Sequence, residues 1–479
     1  MSATSQETPQ AGCCGVHDCV KIFRVFRMAR GASKIALALT ALVLTLAWGS
    51  ILDVFWVSAG GGISRGETLS YVMDRSYVMD RSVDMPYEPR SGDAGIYAEY
   101  SAHMRAQVYG LCSSVIPVDG LAGTASGFVG SFGRMCQGTT WLLRYHPWFA
   151  LVFFPVTLLI WALFGGMICR IAAVEFARDE VISLKDAFAF VRKRYFGGFV
   201  MAPLAPLLIM AVVAVLLVLG GLVLSIPVLG DFLGGLFFFL ALLGGLIGAI
   251  LLIGFSAGGS LFWPAIAAEG TTTFDAFSTS FHYVYTRPWR SALYGLVAFL
   301  YGSVCWLFVH FLAHVTLLFT HTFVGLGTVA HRTAETVKVS KLDALWSYQH
   351  FLGEAHNWMS EAVSGADWLG AVLIGMWVCL VVALVWAFLV SFYFCASTVI
   401  YFLLRRAVDL TDYERVEEVE EYTSEEASPP QPVVSEPPPA PEPAPARAAE
   451  PPAAPVSPPW PSTDQPPPDA ETPPQSDSI

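Results

Sequence analysis

The sequence predicts an all-α fold, a polytopic membrane helix bundle with about six transmembrane helices. Three observations lead to this fold class: 54% of the residues are hydrophobic, only 14% are charged, and the mean hydropathy is +0.55. Soluble domains carry roughly 25% charged residues. Because this chain has too few charges to cover a soluble surface, we expect many of its apolar residues to face lipid.

Six apolar stretches are long enough to cross a bilayer, which takes about 20 residues for roughly 30 Å of hydrocarbon. They are Ile35–Trp56, Pro147–Ile168, Phe199–Leu224, Phe232–Ala267, Ala292–Phe319 and Leu369–Leu404. The fourth and the sixth exceed a single perpendicular crossing, so we expect tilting or kinking, and a break in the fourth. The first has a longer apolar run than the roughly 7–15 residues of a signal-peptide core. It therefore reads as an uncleaved signal anchor.

The distribution of Lys and Arg predicts the orientation, since cytoplasmic flanks of spans carry an excess of both residues. Most of the 27 Lys and Arg residues fall in segments that share a side with the N-terminus. We therefore expect a multipass protein of the cell (cytoplasmic) membrane with both termini in the cytoplasm. The expected parts are a cytoplasmic basic N-terminal segment (1–34), the first transmembrane helix (35–56), an extracytoplasmic loop (57–146), a transmembrane bundle with an internal repeat (147–408) and a cytoplasmic tail (409–479).

A weak internal repeat follows the second and the fourth apolar stretches. Ile171–Glu175 (IAAVE) leads to Asp186–Phe188 (DAF), and Ile266–Glu269 (IAAE) leads to Asp275–Phe277 (DAF). Both copies enter from the same side of the membrane. The repeat would therefore be related by an axis along the membrane normal, a parallel arrangement that occurs in some transporters.

Each copy of the repeat also carries a capping-box pattern, Ser183-x-x-Asp186 and Thr272-x-x-Asp275, which marks a helix start. We expect two short amphipathic helices in the cytoplasmic interface, with an ordinary connecting loop as the alternative. The predicted apolar faces consist of Leu184, Phe188, Val191 and Tyr195 in the first helix and of Phe274, Phe277, Phe281 and Val284 in the second.

The first interfacial helix is cationic, and its charges are Lys185, Arg192, Lys193 and Arg194. Cations beside a membrane attract anionic headgroups, each worth about 1 kcal/mol. Membrane lipids are therefore the partners expected for this segment.

The order of these features resembles a broad group of uncharacterised bacterial multipass membrane domains. The resemblance rests on a spanning helix, the AA(V)E motif, a DAF helix with Arg287-Pro-Trp-Arg290, and a second spanning helix. It covers roughly Pro147 to Leu410, including the closing stretch from Ala396 to Arg406. Similar domains are attached to some glycerophosphodiester phosphodiesterases. The resemblance implies a fold and carries no activity with it.

Two patterns could carry chemistry within the spans. Gly254-Phe-Ser256-Ala-Gly258 matches a serine-nucleophile pattern, but Ser256 and His310 are expected near opposite ends of adjacent spans, and small residues at this spacing are typical of close helix packing. The second pattern is His310, His314 and His321, which share one helical face. They could bind a metal or relay protons. No acid accompanies them in the apolar part of that stretch, which favours a structural role.

The nine cysteines show no paired metal-binding spacing. Cys112 and Cys136 lie in the expected extracytoplasmic loop, where an oxidising compartment would allow a disulfide, and the sequence leaves open whether they are bridged or free. Cys13, Cys14, His17 and Cys19 are too compressed for the usual zinc spacing, and acylation is their other reading.

The composition of the tail predicts that it is disordered and extended, because its Pro- and Glu-rich sequence has little apolar surface to bury. Its acidity accounts for much of the formal charge of −12 and gives no support for nucleic-acid binding.

The sequence carries no P-loop, HExxH or dinucleotide fingerprint, so we expect a non-catalytic protein without a cofactor. The leading hypothesis is a membrane-organising or adaptor protein whose tail recruits cytoplasmic protein partners; the alternative is a small-solute or lipid transporter built on the parallel repeat.

Overall fold

The computed structural model describes residues 20–58, 95–116, 120–226, 229–328, 330–332, 338–340, 342, 345–346, 366–411, 413 and 416. Twelve helices occur in these ranges. They are α1 (Arg24–Ala29), α2 (Ala32–Ser58), α3 (Ile96–Ser113), α4 (Gly120–Tyr145), α5 (Pro147–Arg178), α6 (Leu184–Lys193), α7 (Met201–Leu224), α8 (Leu229–Gly258), α9 (Phe262–Glu269), α10 (Thr273–Thr286), α11 (Pro288–Gly327) and α12 (Ala366–Asp409). Strands β1 (Ala330–Arg332) and β2 (Lys338–Ser340) form a short antiparallel pair.

Six helical segments are long and apolar enough to cross a membrane, which confirms the all-α polytopic bundle and the number of predicted spans. They are Ala32–Ser58, Pro147–Arg178, Tyr195–Leu224, Gly234–Glu269, Pro288–Gly327 and Trp368–Asp409. The last two contain 40 and 42 residues, about 60 Å at 1.5 Å per residue. Each therefore exceeds the roughly 30 Å of a bilayer core, and both are longer than the sequence predicted.

The fourth span is interrupted, as its length suggested. A 3₁₀ turn at Gly259–Leu261 separates α8 from α9. Directly after this turn, the indole of Trp263 donates a hydrogen bond of 2.8 Å to the carbonyl of Phe199. Phe199 belongs to a π-helical turn, Tyr195–Val200, that opens the third span. The two irregular turns therefore meet in the packed bundle.

Helices α7 and α8 pack on each other and on α10. None of the residues from Leu207 to Leu224 is buried, although nearly all are apolar. A helix that is apolar on all sides suits a lipid environment. This pair of helices therefore presents an extended apolar surface.

The expected extracytoplasmic loop contains two helices in its described part. Helices α3 and α4 pack antiparallel, and they contact α2, α5 and α11. At the far end of α2, Asp53 accepts hydrogen bonds from the backbone N–H groups of Tyr97 and Ala98, at 2.7 and 2.9 Å. This carboxylate satisfies two of the free donors at the start of α3.

The two short helices of the repeat begin where the capping boxes predicted. Ser183 caps α6 and Thr272 caps α10, each accepting from the backbone N–H three residues ahead. The apolar faces, however, are rotated from the prediction. Ala187, Phe190 and Val191 are buried in α6, whereas Leu184 and Phe188 are exposed.

Tyr195 no longer belongs to the face of α6, because the π-helical turn that starts at this residue ends the regular α-helical register. In α10 the buried residues are Ala276, Ser280, Tyr283 and Val284. Phe274 is exposed, and Phe277 and Phe281 pack only in part against the core. Both helices therefore keep apolar residues on their outer sides.

Candidate functional site

The motif glutamates of the repeat lie in equivalent positions at one end of the bundle, here named the charged end. Glu175 is in the last turn of α5 and pairs with Lys34 of α2. Glu269 ends α9 and pairs with Arg405 of α12 at 3.1 Å. It also accepts a hydrogen bond of 2.6 Å from the hydroxyl of Tyr401. Each repeat is thus joined through its glutamate to a helix outside the repeat.

Both ion pairs are largely withdrawn from solvent. The side chain of Lys34 is 2% exposed and that of its partner Glu175 is 16% exposed, whereas Arg405 and Glu269 are 9% and 23% exposed. Breaking a buried pair leaves an uncompensated charge, so these contacts strongly restrict how the helices can move apart.

A second pair of equivalent contacts supports the repeat. The hydroxyl of Tyr195 donates a hydrogen bond of 2.6 Å to the carbonyl of Leu159 in α5. The hydroxyl of Tyr285 donates a hydrogen bond of 2.5 Å to the carbonyl of Ile250 in α8. In both copies a tyrosine that follows the DAF motif bonds the long helix that precedes it. The repeat therefore extends from the sequence motif to the hydrogen bonding.

Arginines join the two repeats at the charged end. Arg170 is 1% exposed and donates a hydrogen bond of 2.8 Å to the carbonyl of Ala267. Arg194 donates a hydrogen bond of 3.0 Å to the carbonyl of Gly270. Both guanidinium groups lie over the ring of Phe190, at 4.0 and 4.6 Å from its centroid. The C-terminal carbonyls of α9 are thus bonded by cations of the first repeat, which also favours the helix dipole.

An open groove of about 710 Å³ lies beside these pairs and is lined by Arg24, Arg27, Glu175, Asp179 and Val181. Arg24 and Arg27 both donate to the carboxylate of Asp179. Two cations therefore share one exposed carboxylate at the rim of the charged end.

The first residues after α12 are held at the same end. The chain turns at Leu410, whose φ is 55°, and Tyr413 then lies under the cations of Lys21 and Arg406, with centroid distances of 3.7 and 4.7 Å. Arg178 donates a hydrogen bond of 3.3 Å to the carbonyl of Val416. The start of the tail is thus attached to the bundle by cations from three segments.

Helix α10 is fastened to the end of α12 by the hydroxyl of Tyr283, which donates to the carboxylate of Asp409. Burial and this hydrogen bond raise the pKa of Tyr283 above its ordinary value. The phenol therefore stays protonated at neutral pH and remains the donor.

The four predicted lipid-interface residues do not share one environment. Lys185, Arg192 and Lys193 are exposed on α6, in keeping with the prediction. Arg194 is partly buried and is engaged with Gly270 and Phe190, so its side chain contacts the protein rather than standing exposed beside the other three. The signal for the difference is its position after the end of α6, where the chain turns inward.

The three histidines do not converge on one point. His310 lies against Trp306 and Tyr109, whereas the imidazole of His321 is 3.2 Å from the carbonyl of Trp346. Eleven residues of helix separate these two imidazoles, about 16 Å along the axis. Among the described residues no group of three His, Cys, Asp or Glu side chains could hold a metal ion.

Cys112 and Cys136 are both free, so a disulfide between them is not formed. The register of α3 on α4 gives the reason, because Arg134 bonds Gln107 and the position of Gly138 meets His103. Cys112 and Cys136 are then offset by about seven residues, roughly 10 Å along the helices, beyond the reach of a disulfide. The side chain of Cys112 is buried, whereas that of Cys136 is exposed.

Several residues singled out by the sequence lie outside the described ranges. These are Cys13, Cys14, His17 and Cys19, and the tail from residue 417 onward. Ser256 is described: it is exposed and donates to the carbonyl of Leu252 at 2.8 Å, a bond within its own helix.

Comparison of the chain with protein-family models, with curated proteins and with solved structures gave no match.

Proposed function

We propose that this chain is a non-catalytic, membrane-organising or adaptor protein of the cell membrane, in which the helix bundle anchors and orients a cytoplasmic tail that recruits partners. The observation that carries the proposal is the attachment of the tail at its root. Tyr413 is held between Lys21 and Arg406, and Val416 is held by Arg178. A root that is fixed in this way sets the point from which the tail leaves the bundle.

The composition of the tail suits recruitment. Its Pro-rich sequence, with PxxP matches such as Pro452–Pro455 and Pro455–Pro458, favours the extended polyproline form that groove-binding domains recognise. An extended segment of this kind offers a large surface to a partner without disturbing a packed core.

The proposal places the charged end of the bundle in the cytoplasm. Lys34, Arg170, Arg178 and Arg405 all belong to this end, together with the exposed cations of α6. An excess of Lys and Arg is typical of the cytoplasmic side of multipass proteins. The same end carries the root of the tail, which gives the tail access to cytoplasmic partners.

The test is a truncation after Tyr422 in the full chain, compared with a control in which a glycine–serine segment of equal length replaces residues 423–479. Both variants should insert normally, and both should lose the cytoplasmic proteins that copurify with the intact chain in mild detergent. Retention of all partners and of the cellular phenotype by both variants would contradict the adaptor proposal.

A second candidate, a small-solute or lipid transporter, is favoured by the pairing of Glu175 with Lys34 and of Glu269 with Arg405. Ionisable residues within spans are frequently functional, and equivalent carboxylates in two repeats suit parallel repeats that move against each other. For a transporter, tail loss should leave transport intact. Gly258→Leu should impair it, because a Cβ at Gly258 already contacts Phe281 and the carbonyl of Ser280 at 3.5 Å.

A further inference from the structure

We propose that α3 and α4 form a re-entrant hairpin that enters the bilayer from the end opposite the charged end. Its tip, which here means residues 109–116 and 127–132, lies against lipid acyl chains. Neither helix belongs to the six candidate spans. The inference rests on the depth at which the hairpin packs and on the chemistry of its tip.

The contact between the start of α3 and α2 shows how deep in the bilayer α3 begins. Tyr97 packs against Gly49 of α2 so closely that an added Cβ would be 2.4 Å from its ring. Gly49 is nine residues before Ser58, about 13 Å from the end of α2. Helix α2 has 27 residues, about 40 Å, and so has little length beyond the roughly 30 Å of hydrocarbon.

The apolar surface of α2 also continues past this contact. Val54 and Phe55 are 70% and 66% exposed, and both lie between Gly49 and the end of the helix. An exposed apolar surface on a spanning helix marks the part that faces lipid. The first turn of α3 is therefore already level with the apolar band of α2.

The tip of the hairpin packs deeper. Tyr109 of α3 lies against Trp306 of α11. In the first half of α4, the ring of Phe128 is 5.1 Å from the ring of Phe299 in α11. Phe299 is 11 residues from Pro288, about 16 Å from the charged end of α11. The opposite end of α11, Gly327, is about 42 Å from Phe299 on the same scale. The hairpin thus reaches past the middle of this span.

The side chains near the tip fit acyl chains. Ile116, Val129 and Phe132 are 55%, 67% and 52% exposed. In the sequence, Asp119 is the one charged residue between Arg105 and Arg134. An apolar surface of this kind is unfavourable in water and favourable in hydrocarbon.

Two polar contacts of the hairpin run between its two helices, which keeps these groups bonded, as a membrane interior requires. Arg134 donates 2.9 Å to the side chain of Gln107, and the ring of His103 is 3.0 Å from the carbonyl of Arg134. These bonds face the α3–α4 contact rather than the exposed side. The outer side of the tip is left to apolar residues.

The experiment uses the full chain in proteoliposomes, with Cys13, Cys14, Cys19, Cys136 and Cys379 changed to Ser and the buried cysteines kept. A nitroxide is attached at Val129→Cys, and in a separate variant at Phe132→Cys. Leu216→Cys in α7 provides the lipid reference, and Val181→Cys, in the groove at the charged end, provides the water reference. Accessibility to oxygen, which concentrates in hydrocarbon, is compared with accessibility to a water-soluble nickel complex.

Labels at Val129→Cys and Phe132→Cys should match Leu216→Cys, with most of the nickel accessibility of Val181→Cys lost. Nickel accessibility equal to that of Val181→Cys at both positions would overturn the proposal and place the hairpin in water. Each variant is compared only when its size-exclusion profile matches that of the unlabelled chain. The nickel complex is loaded on both sides of the vesicle, so the result does not depend on which end is cytoplasmic.

Discussion

The buried pair of Lys34 and Glu175 offers the sharpest test of the charged end. In Glu175→Gln, Lys34 keeps its charge in a site where its side chain is 2% exposed. Removing one partner of a buried pair typically costs about 3–5 kcal/mol. Because Glu175 retains 16% exposure, we expect a loss of about 3 kcal/mol, more than a 100-fold change in the unfolding equilibrium.

The matched control is Arg27→Gln, which removes a cation from a pair with Asp179 whose side chains are 60% and 65% exposed. Exposed pairs contribute about 0–1 kcal/mol, so this variant should resemble the unchanged chain. A third variant, Lys34→Met with Glu175→Gln, removes both charges. It should recover most of the loss, since replacing a whole buried pair by uncharged residues is often neutral.

The free energy of unfolding of each variant is measured by titrating the full chain from mild-detergent micelles into SDS while following helix content. Equal stabilities of Glu175→Gln and Arg27→Gln would show that water solvates Lys34 and that the pair with Glu175 is not a buried one.

A helix cap, a close glycine contact and the exposed cations of α6 can each be tested by substitution. Ser183→Ala should lower the free energy of unfolding by about 1 kcal/mol through loss of the α6 cap, measured in the same titration, with the exposed Ser225→Ala as the control. Gly254→Ala should destabilise by about 1–3 kcal/mol, because its Cβ would be 2.8 Å from Phe281, whereas Gly245→Ala, with nothing within 4 Å, should be neutral. Changing Lys185, Arg192 and Lys193 together to Gln should reduce the amount of anionic lipid that stays bound through purification, as counted by mass spectrometry. The control Arg194→Gln should lower the free energy of unfolding instead. Unchanged lipid retention in the triple variant would contradict the interfacial role of α6.

The sequence was sufficient for those features that depend on local pattern. The spans follow from the length of apolar runs, and the starts of α6 and α10 follow from Ser183 and Thr272, since a cap acts within one turn. The buried face of α6 could not be predicted, because it depends on how α6 packs against α5. The π-helical turn that removes Tyr195 from this face also leaves no clear trace in composition.

The ion pairs at the charged end were missed for a different reason. Lys34 and Glu175 are 141 residues apart, and only the packing of α2 on α5 brings them together. Each stands at the edge of an apolar run, where a charge usually faces the interface. The repeated AA(V)E motif was the available signal, since it places an acid at the same point of two helices, but it does not reveal which cation each acid meets.

The choice of partners for the two glutamates sets an order of assembly during synthesis. Lys34 is made before Glu175, so the first repeat can close its ion pair as soon as α5 has entered the membrane. Glu269 instead awaits α12, and its partner Tyr401 lies 132 residues further along the chain. At about 5–20 residues per second, Glu269 waits roughly 7–26 s for its partners, so its ion pair is the later of the two to form.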